Sequence, residues 1–401
     1  MAIRRDVLKG LAGATVAGAG LISRLARAGL PAGAVESAVL EALPGTRPLI
    51  KRSFRPPNFE TPVAYFNELF TRNDAFFVRY HLAGIPQVDA RDWRLRIGGE
   101  SAGKSVEFTL DDLQKNFEQV EIAAVIQCSG NRRGLFEPHV PGIQWGYGGM
   151  GNARWRGVRL KDVLATAGVG RDALEVVFDG ADAALLPATP DFVKSLPVWK
   201  ALEDSTLIAL EMNGEALPHW HGYPARLVVP GWTATYWVKH LSSINVIAKP
   251  FDGFWMKTAY RIPKGVFPTA MGFTSQDTEV NTPVTDIMVN SLITNMESGK
   301  KFHFGQPIDM QGIAWDGGFG IRAVEVSTDG GQQWRATGLG QDAGRFSWRQ
   351  WHFPFRPEQK GPYSLMFRAT SQSGATQTAQ LTPNPAGYHH NLIQVLDLVV
   401  A

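Results

Sequence analysis

The sequence predicts an α+β protein, with a domain of mixed strands and helices followed by a β-sandwich. Glycine, proline and tryptophan number 42, 25 and 12 of 401 residues, a composition that favours turns and short strands over long helical bundles. Between Val63 and about Ile262 strand and helix patterns mix. Beyond the Gly/Pro-containing stretch Ile262–Gly272 only short alternating runs separated by turn signals remain. A first domain over 63–272 and a second over 275–401 are therefore expected.

The elements follow in chain order. Arg4-Arg5, the apolar run Leu11–Ile22 and Ala26-Arg27-Ala28 read as a twin-arginine leader over residues 1–28. The run is too short to span a bilayer, which takes ~20 apolar residues. Periplasmic export and no membrane span are expected. Removing the leader takes away five basic residues and one acid, moving the formal charge from +3 to −1. The basic balance thus belongs to the leader. No dense Lys/Arg run interleaved with aromatics remains, so nucleic acid is excluded as a partner. Residues 29–62 hold Pro31, Pro44, Pro48, Pro56, Pro57 and Pro62, which predicts an extended N-terminal arm without regular structure.

Within 63–272, Phe76–Leu82 reads as a strand, Leu110–Phe117 and Leu160–Thr166 as helices, and Ile122–Ile126 as a buried strand ending at Gln127. Asn152–Gly157 reads as loop. In the second domain Ala323–Ser327 and Tyr363–Ala369 alternate, and Asp329-Gly330-Gly331 supplies a hairpin turn.

The chain has a single cysteine, Cys128, so no internal disulfide forms. It lies where the buried strand runs into Ser129-Gly130-Asn131-Arg132-Arg133, a setting in which two cations lower a thiol pKa. Three readings stand: a small buried hydrophobe, a nucleophile served by a histidine, and a metal ligand. Period-two alternation puts Arg79 and His81 on one strand face, either as a solvated face or as a seat for a small tetrahedral anion. His221 and Arg226 precede the apolar strand Leu227–Gly231, with Lys239 beyond it. Three such donors suit a phosphate-bearing cofactor, or are simply the loop before a strand. Gly146, Gly148 and Gly151 spell G-x-G-x-x-G without the strand-to-helix context of a dinucleotide site. One cysteine excludes an iron–sulfur cluster, and no Cys-x-x-Cys-His offers covalent haem.

Several strings together resemble the sulfite oxidase family of molybdenum enzymes, in particular its bacterial periplasmic sulfite dehydrogenases, over roughly residues 60–400. They are Phe77-Val78-Arg79-Tyr80-His81, Gln127 to Arg133, Gly151 to Gly157, Glu211-Met212-Asn213-Gly214 and His221 to Gly231. Ala314-Trp315, Ser327 to Gly331 and Asn384-Pro385-Ala386-Gly387-Tyr388 extend the resemblance into the second domain. Tyr80 departs from the family's common Asn, and Ser129 from its common Ala.

The resemblance implies a molybdopterin-binding domain followed by an immunoglobulin-like dimerisation domain, hence a homodimer. It implies that Cys128 supplies the one protein sulfur to molybdenum, a soft ligand suited to that metal. Arg79, Tyr80, His81, Asp182, His221, Arg226, Trp237, Val238 and Lys239 would hold the pterin and its phosphate. Arg79, Arg133, Trp145 and Tyr260 would line the pocket where sulfite becomes sulfate. With no haem in this chain, electrons would leave singly to a c-type cytochrome. Two alternatives are another reaction of the family, on a sulfoxide or nitrate, and a catalytically inactive exported binding protein.

Overall fold

The structure is a computed structural model describing residues 39–268 and 272–401. The expected leader, 1–28, and the first part of the expected arm lie outside the described residues.

The first domain is built on two sheets. One runs in the order Lys194–Pro197, Glu175–Gly180, Leu241–Ile247, Leu95–Gly98, Val106–Phe108. Its only parallel pair joins Leu241–Ile247 to Leu95–Gly98. The other is antiparallel, in the order Glu215–Ala216, Leu207–Met212, Met150–Arg159, Gln119–Gln127, with Arg226–Val228 also paired to Leu207–Met212. The largest apolar core holds Leu95, Ile97, Trp155, Val158, Val176, Phe178, Leu227 and Ile244 from both sheets. Two short helices cover edges. Leu110–Lys115 starts from a capping box between Thr109 and Asp112. Leu160–Ala167 buries Leu160, Val163, Leu164 and Ala167, the spacing of one helix face, and ends at Gly168 with φ 76°.

Three expectations differ from what is observed. The stretch expected as an irregular arm instead contains the strands Leu40–Glu41, Leu49–Ser53 and Asn58–Glu60, which form a four-stranded sheet with Val78–Arg79. Of its described prolines, Pro44, Pro48, Pro56 and Pro57 fall between these strands, and Pro62 follows the last of them. The strand expected over Phe76–Leu82 shrinks to Val78–Arg79. Asn152–Gly157, expected as loop, lies inside the strand Met150–Arg159. That strand is buried along most of its length, so its sequence shows no alternation. Its glycines admit neighbours: a Cβ at Gly151 would stand 2.5 Å from the Phe76 ring, and one at Gly157 2.1 Å from the Ile208 carbonyl oxygen.

The second domain is a β-sandwich. One sheet runs Asn290–Ile293, Ile308–Trp315, Arg349–Phe355, Gly338–Leu339. The other runs Lys301–Phe302, Gln394–Val400, Gly361–Ser371, Ile321–Ser327, Arg335–Ala336. Alternate residues such as Val324, Val326, Leu365, Phe367, Leu396 and Leu398 fill the space between them. Among the described residues no helix is long and apolar enough to cross a membrane.

The domains meet at the turn after Gln119–Gln127. The Trp315 indole N–H donates to Gln127 Oε1 at 2.6 Å. The fully buried Arg132, in left-handed conformation at φ 67°, donates from Nη1 to Asn290 Oδ1 at 2.5 Å and from Nη2 to the Ser291 carbonyl at 2.8 Å. Its guanidinium lies 4.9 Å from the Tyr147 ring centre and 5.7 Å from that of Trp315. Burial without a carboxylate partner pushes its pKa down to about 10. Arg132→Met removes both hydrogen bonds across the junction. It should destabilise the protein by about 2–4 kcal/mol, read as a lower denaturant midpoint at unchanged slope; an unchanged midpoint would refute this role.

Candidate active site

Cys128 follows the last residue of Gln119–Gln127. Its amide donates to the Gly149 carbonyl at 2.8 Å, and its carbonyl accepts from the Asn131 amide at 2.9 Å. The turn thus closes on itself and on the neighbouring strand. The thiol lies on the wall of a cavity of about 660 Å³, counting the space at its mouth. Arg79, Tyr80, His81, Asp182, His221, Arg226, Trp237, Lys239 and Tyr260 line the same cavity.

Arg79 and His81 reach this cavity on either side of the buried Tyr80. Arg79 donates from Nη1 to Asn58 Oδ1 and to the Tyr80 carbonyl, and its guanidinium also stands against the Tyr260 hydroxyl. The His81 ring is stacked on Phe192, centroids 3.7 Å apart at 12°, with Trp255 edge-on at 4.8 Å. Its Nε2 shares a short hydrogen bond with the Tyr260 hydroxyl. Burial, then the charges of Arg79, Lys194 and Lys239, hold the His81 pKa well below its ordinary value, so the ring is neutral. Burial raises that of Tyr260, which stays a phenol.

At the other end, Tyr80 bonds to His240 Nε2 at 2.8 Å, and the Lys239 ammonium stands 3.6 Å from the Tyr80 ring centre. His240 Nδ1 is bonded to the Tyr223 carbonyl at 2.7 Å. Arg226 donates to the carbonyls of His221 and Trp237, both at 3.1 Å, and its Nε has no hydrogen-bond partner among the described residues. Burial pushes its pKa down to about 9. Burial and the adjacent Arg226 charge hold the Lys239 ammonium well below its ordinary value. Asp182 is the sole carboxylate on the wall. Burial raises its pKa to about 6, against a smaller opposing pull from Lys239.

Three residues expected at the site stand behind the cavity wall rather than on it. Trp145 is fully buried behind Phe77, edge-on at 6.2 Å. The Val238 backbone is occupied internally, its amide with Tyr236 and its carbonyl with Leu227. Arg133 donates to the carbonyls of Ala386 and Ile143 and stands over the Tyr388 ring. None of the three lies on the cavity wall. Conversely, Phe192, which clamps His81, had not been expected, nor had Lys194. The buried Lys194 ammonium donates to the Trp255 carbonyl at 2.6 Å and stands 5.1 Å from the Tyr260 ring centre. A lone lysine within the apolar string Phe192–Pro197 was the available signal.

Three cations on the wall face one carboxylate, so the cavity is built for an anion. The donor set fits a molybdenum–pterin group. Cys128 offers one thiol for the metal, and the orphaned Arg226 Nε beside Lys239 offers a seat for a phosphate. Among the described residues no three His, Cys, Asp or Glu side chains cluster.

Comparison with known proteins agrees with this arrangement. Residues 81–255 match the oxidoreductase molybdopterin binding domain, and residues 281–395 the Mo-co oxidoreductase dimerisation domain. Mitochondrial sulfite oxidase of Homo sapiens is 35% identical over 321 residues, 77% of this chain; the chain spans only 57% of that protein. Sulfite oxidase of Gallus gallus is 32% identical over 344 residues, covering 82% of this chain and 73% of that protein. The crystal structure of the sulfane dehydrogenase SoxCD from Paracoccus pantotrophus superposes with a TM-score of 0.73 at 26% identity, covering 93% of both chains.

The raised Asp182 pKa has a stability consequence. Above about pH 6 its ionised form is less favourable in the folded cofactor-free protein than in the unfolded chain, and protonation below that pH relieves the penalty. Asp182→Asn should therefore raise the Tm of cofactor-free protein at pH 8, with the gain vanishing towards pH 4. An equal gain at both pH values would contradict the buried charge as its cause.

Proposed function

We propose that this chain, which belongs to the sulfite oxidase family of molybdopterin oxidoreductases, oxidises sulfite to sulfate and passes the electrons singly to a c-type cytochrome. The observation that carries this reading is the convergence of the Cys128 thiol, the Arg79 guanidinium and the Tyr260–His81 hydrogen bond on one cation-rich cavity. The cofactor, when bound, supplies two-electron oxygen transfer to sulfur. The net change is sulfite plus water to sulfate, two protons and two electrons.

The protein's own groups divide the remaining work. Cys128 is the metal ligand, and Tyr80, His81, Asp182, His221, Arg226, Trp237 and Lys239 hold the pterin end. Arg79 is fixed through Nη1 on Asn58 and the Tyr80 carbonyl and stands against the Tyr260 hydroxyl, so its guanidinium would meet the sulfite oxygens beside that phenol. Two protons must leave for each turnover. Tyr260 and the neutral His81 form a phenol–imidazole pair able to hold or pass one beside the reacting sulfur. Export by the twin-arginine leader would place the protein in the periplasm with its cytochrome partner, and the second domain would join two copies into a homodimer.

The superposition with the sulfane dehydrogenase over 93% of both chains favours a second reading, oxidation of a sulfane sulfur at the same centre. Steady-state reduction of cytochrome c or ferricyanide with sulfite, and in parallel with thiosulfate, separates the two. Protein from a molybdopterin-competent host should carry about one molybdenum per chain and turn over sulfite; no sulfite turnover in loaded protein would sink the primary reading. Cys128→Ser should stay folded yet lose sulfite turnover. Arg79→Met should lower kcat/KM for sulfite roughly 10–100-fold, with molybdenum content unchanged. Equal loss of metal would show that Arg79 holds the cofactor rather than the substrate.

A further inference from the structure

We propose that Tyr388, a residue of the second domain, contacts the substrate: its hydroxyl donates a hydrogen bond to the oxyanion held beside Tyr260 and Arg79. The inference deepens the reading of the cavity as a sulfite site and rests on it.

The geometry begins with a turn built to hold one side chain still. Asn384 brackets it twice, its Oδ1 accepting from the Tyr388 amide and its Nδ2 donating to the Tyr388 carbonyl, both at 2.9 Å. Gly387 takes φ 60° between them, and the next residue, His389, takes φ 56°. A Cβ at Gly387 would stand 2.4 Å from Val140 and 2.9 Å from Arg133, so the turn lies directly against the first domain. Arg133 closes the contact. Its Nε donates to the Ala386 carbonyl at 2.8 Å, and its guanidinium lies 5.2 Å from the Tyr388 ring centre.

Held this way, the Tyr388 ring lies parallel to that of Tyr260, centroids 5.6 Å apart at 9°. Tyr260 lines the cavity and bonds to His81. The two phenols thus stand side by side, one from each domain. The Tyr80 hydroxyl has His240 and the Tyr260 hydroxyl has His81, whereas that of Tyr388 makes no hydrogen bond among the described residues. Tyr388 is only 7% exposed, yet its hydroxyl is not among the enclosed polar atoms left without a partner. It stands next to the cavity wall rather than on it, open enough for an acceptor to reach it beside Tyr260, and an oxyanion is the acceptor this cavity is charged to receive. The groups that act on its phenol through space agree with that direction, since Tyr260, Arg133, Cys128 and Arg79 are all near enough to influence it. Tyr388 itself stays protonated, because burial raises its pKa. It is therefore a donor at every working pH. Arg133, placed behind the ring and not on the cavity wall, is a positioning residue for it.

The test is Tyr388→Phe, which keeps the stacked ring and deletes only the hydroxyl. In molybdenum-loaded protein, KM for sulfite should rise roughly tenfold, the loss of one hydrogen bond to an anion, with kcat within about threefold. Binding of sulfate, followed by tryptophan fluorescence, should weaken by the same factor, a readout independent of turnover. Molybdenum content should not change. Asn384→Ala, which frees the turn, should raise KM to a lesser degree. Unchanged KM and sulfate affinity in Tyr388→Phe overturn the inference alone. A parallel fall in kcat and molybdenum content without a selective loss of sulfate affinity also overturns it, since that marks a packing role. If the wild-type protein neither binds sulfate nor turns over sulfite, the reading of the cavity falls and this inference falls with it.

Discussion

The turn that carries Cys128 is closed by its own backbone hydrogen bonds and clamped from outside by the second domain. Arg132, five residues beyond Gln127, the last residue of that strand to pair with its neighbour, is the clamp. Its side chain crosses into the sandwich to Asn290 and Ser291, while its amide donates to the Gly146 carbonyl at 2.8 Å. Gln127 and Trp315 tie the other flank of the same turn. A thiol that must meet a metal at a fixed length needs such support, because a ligand held loosely loses affinity and geometry together. The sandwich therefore shapes the active site as well as offering a surface to a second copy. Tyr388 stands under the same constraint, since its turn is pressed against Arg133, the neighbour of Arg132 in sequence.

The cavity stores unbalanced positive charge. Arg79, Arg226 and Lys239 line it against Asp182 alone, and burial pulls Arg226 and Lys239 down and Asp182 up. Each shift records an ionised form made less favourable by removal from water. An arrangement of this kind costs stability in the protein by itself and recovers it when an anion arrives, which is the logic of a site prepared for a charged cofactor and a charged substrate.

Much of this was legible in the sequence, and the limits have physical causes. Cys128 at a strand end, the Arg79 and His81 pair and the donors His221, Arg226 and Lys239 stand in short local strings, and all line one cavity. The alternation of the sandwich strands was equally plain, because each has one face in the core and one in water. Met150–Arg159 was missed because a strand buried along most of its length has no alternation to show. The strands at 40–60 were missed because prolines between short strands look, residue by residue, like prolines in a coil. Arg133, Trp145 and Val238 were expected at the cavity from the family resemblance, which matches motifs residue by residue. Which side chain of a matched motif faces the cavity and which packs behind its wall is decided by the tertiary packing, and the strings alone do not carry it.

Phe192 and Lys194 show the opposite failure. Their side chains reach the site from the edge of a different sheet, more than a hundred residues from His81 along the chain, and only the packing of that sheet brings them there. The consequence is chemical. Phe192 and Trp255 hold the His81 ring on two sides, and the buried Lys194 stands near both His81 and Tyr260, its own ammonium held well below its ordinary pKa by burial. Burial and the surrounding cations keep His81 neutral, and burial keeps Tyr260 a phenol. The His81 ring is thus left to accept and the Tyr260 hydroxyl to donate, so the pair has a direction set in part by residues that never touch the substrate.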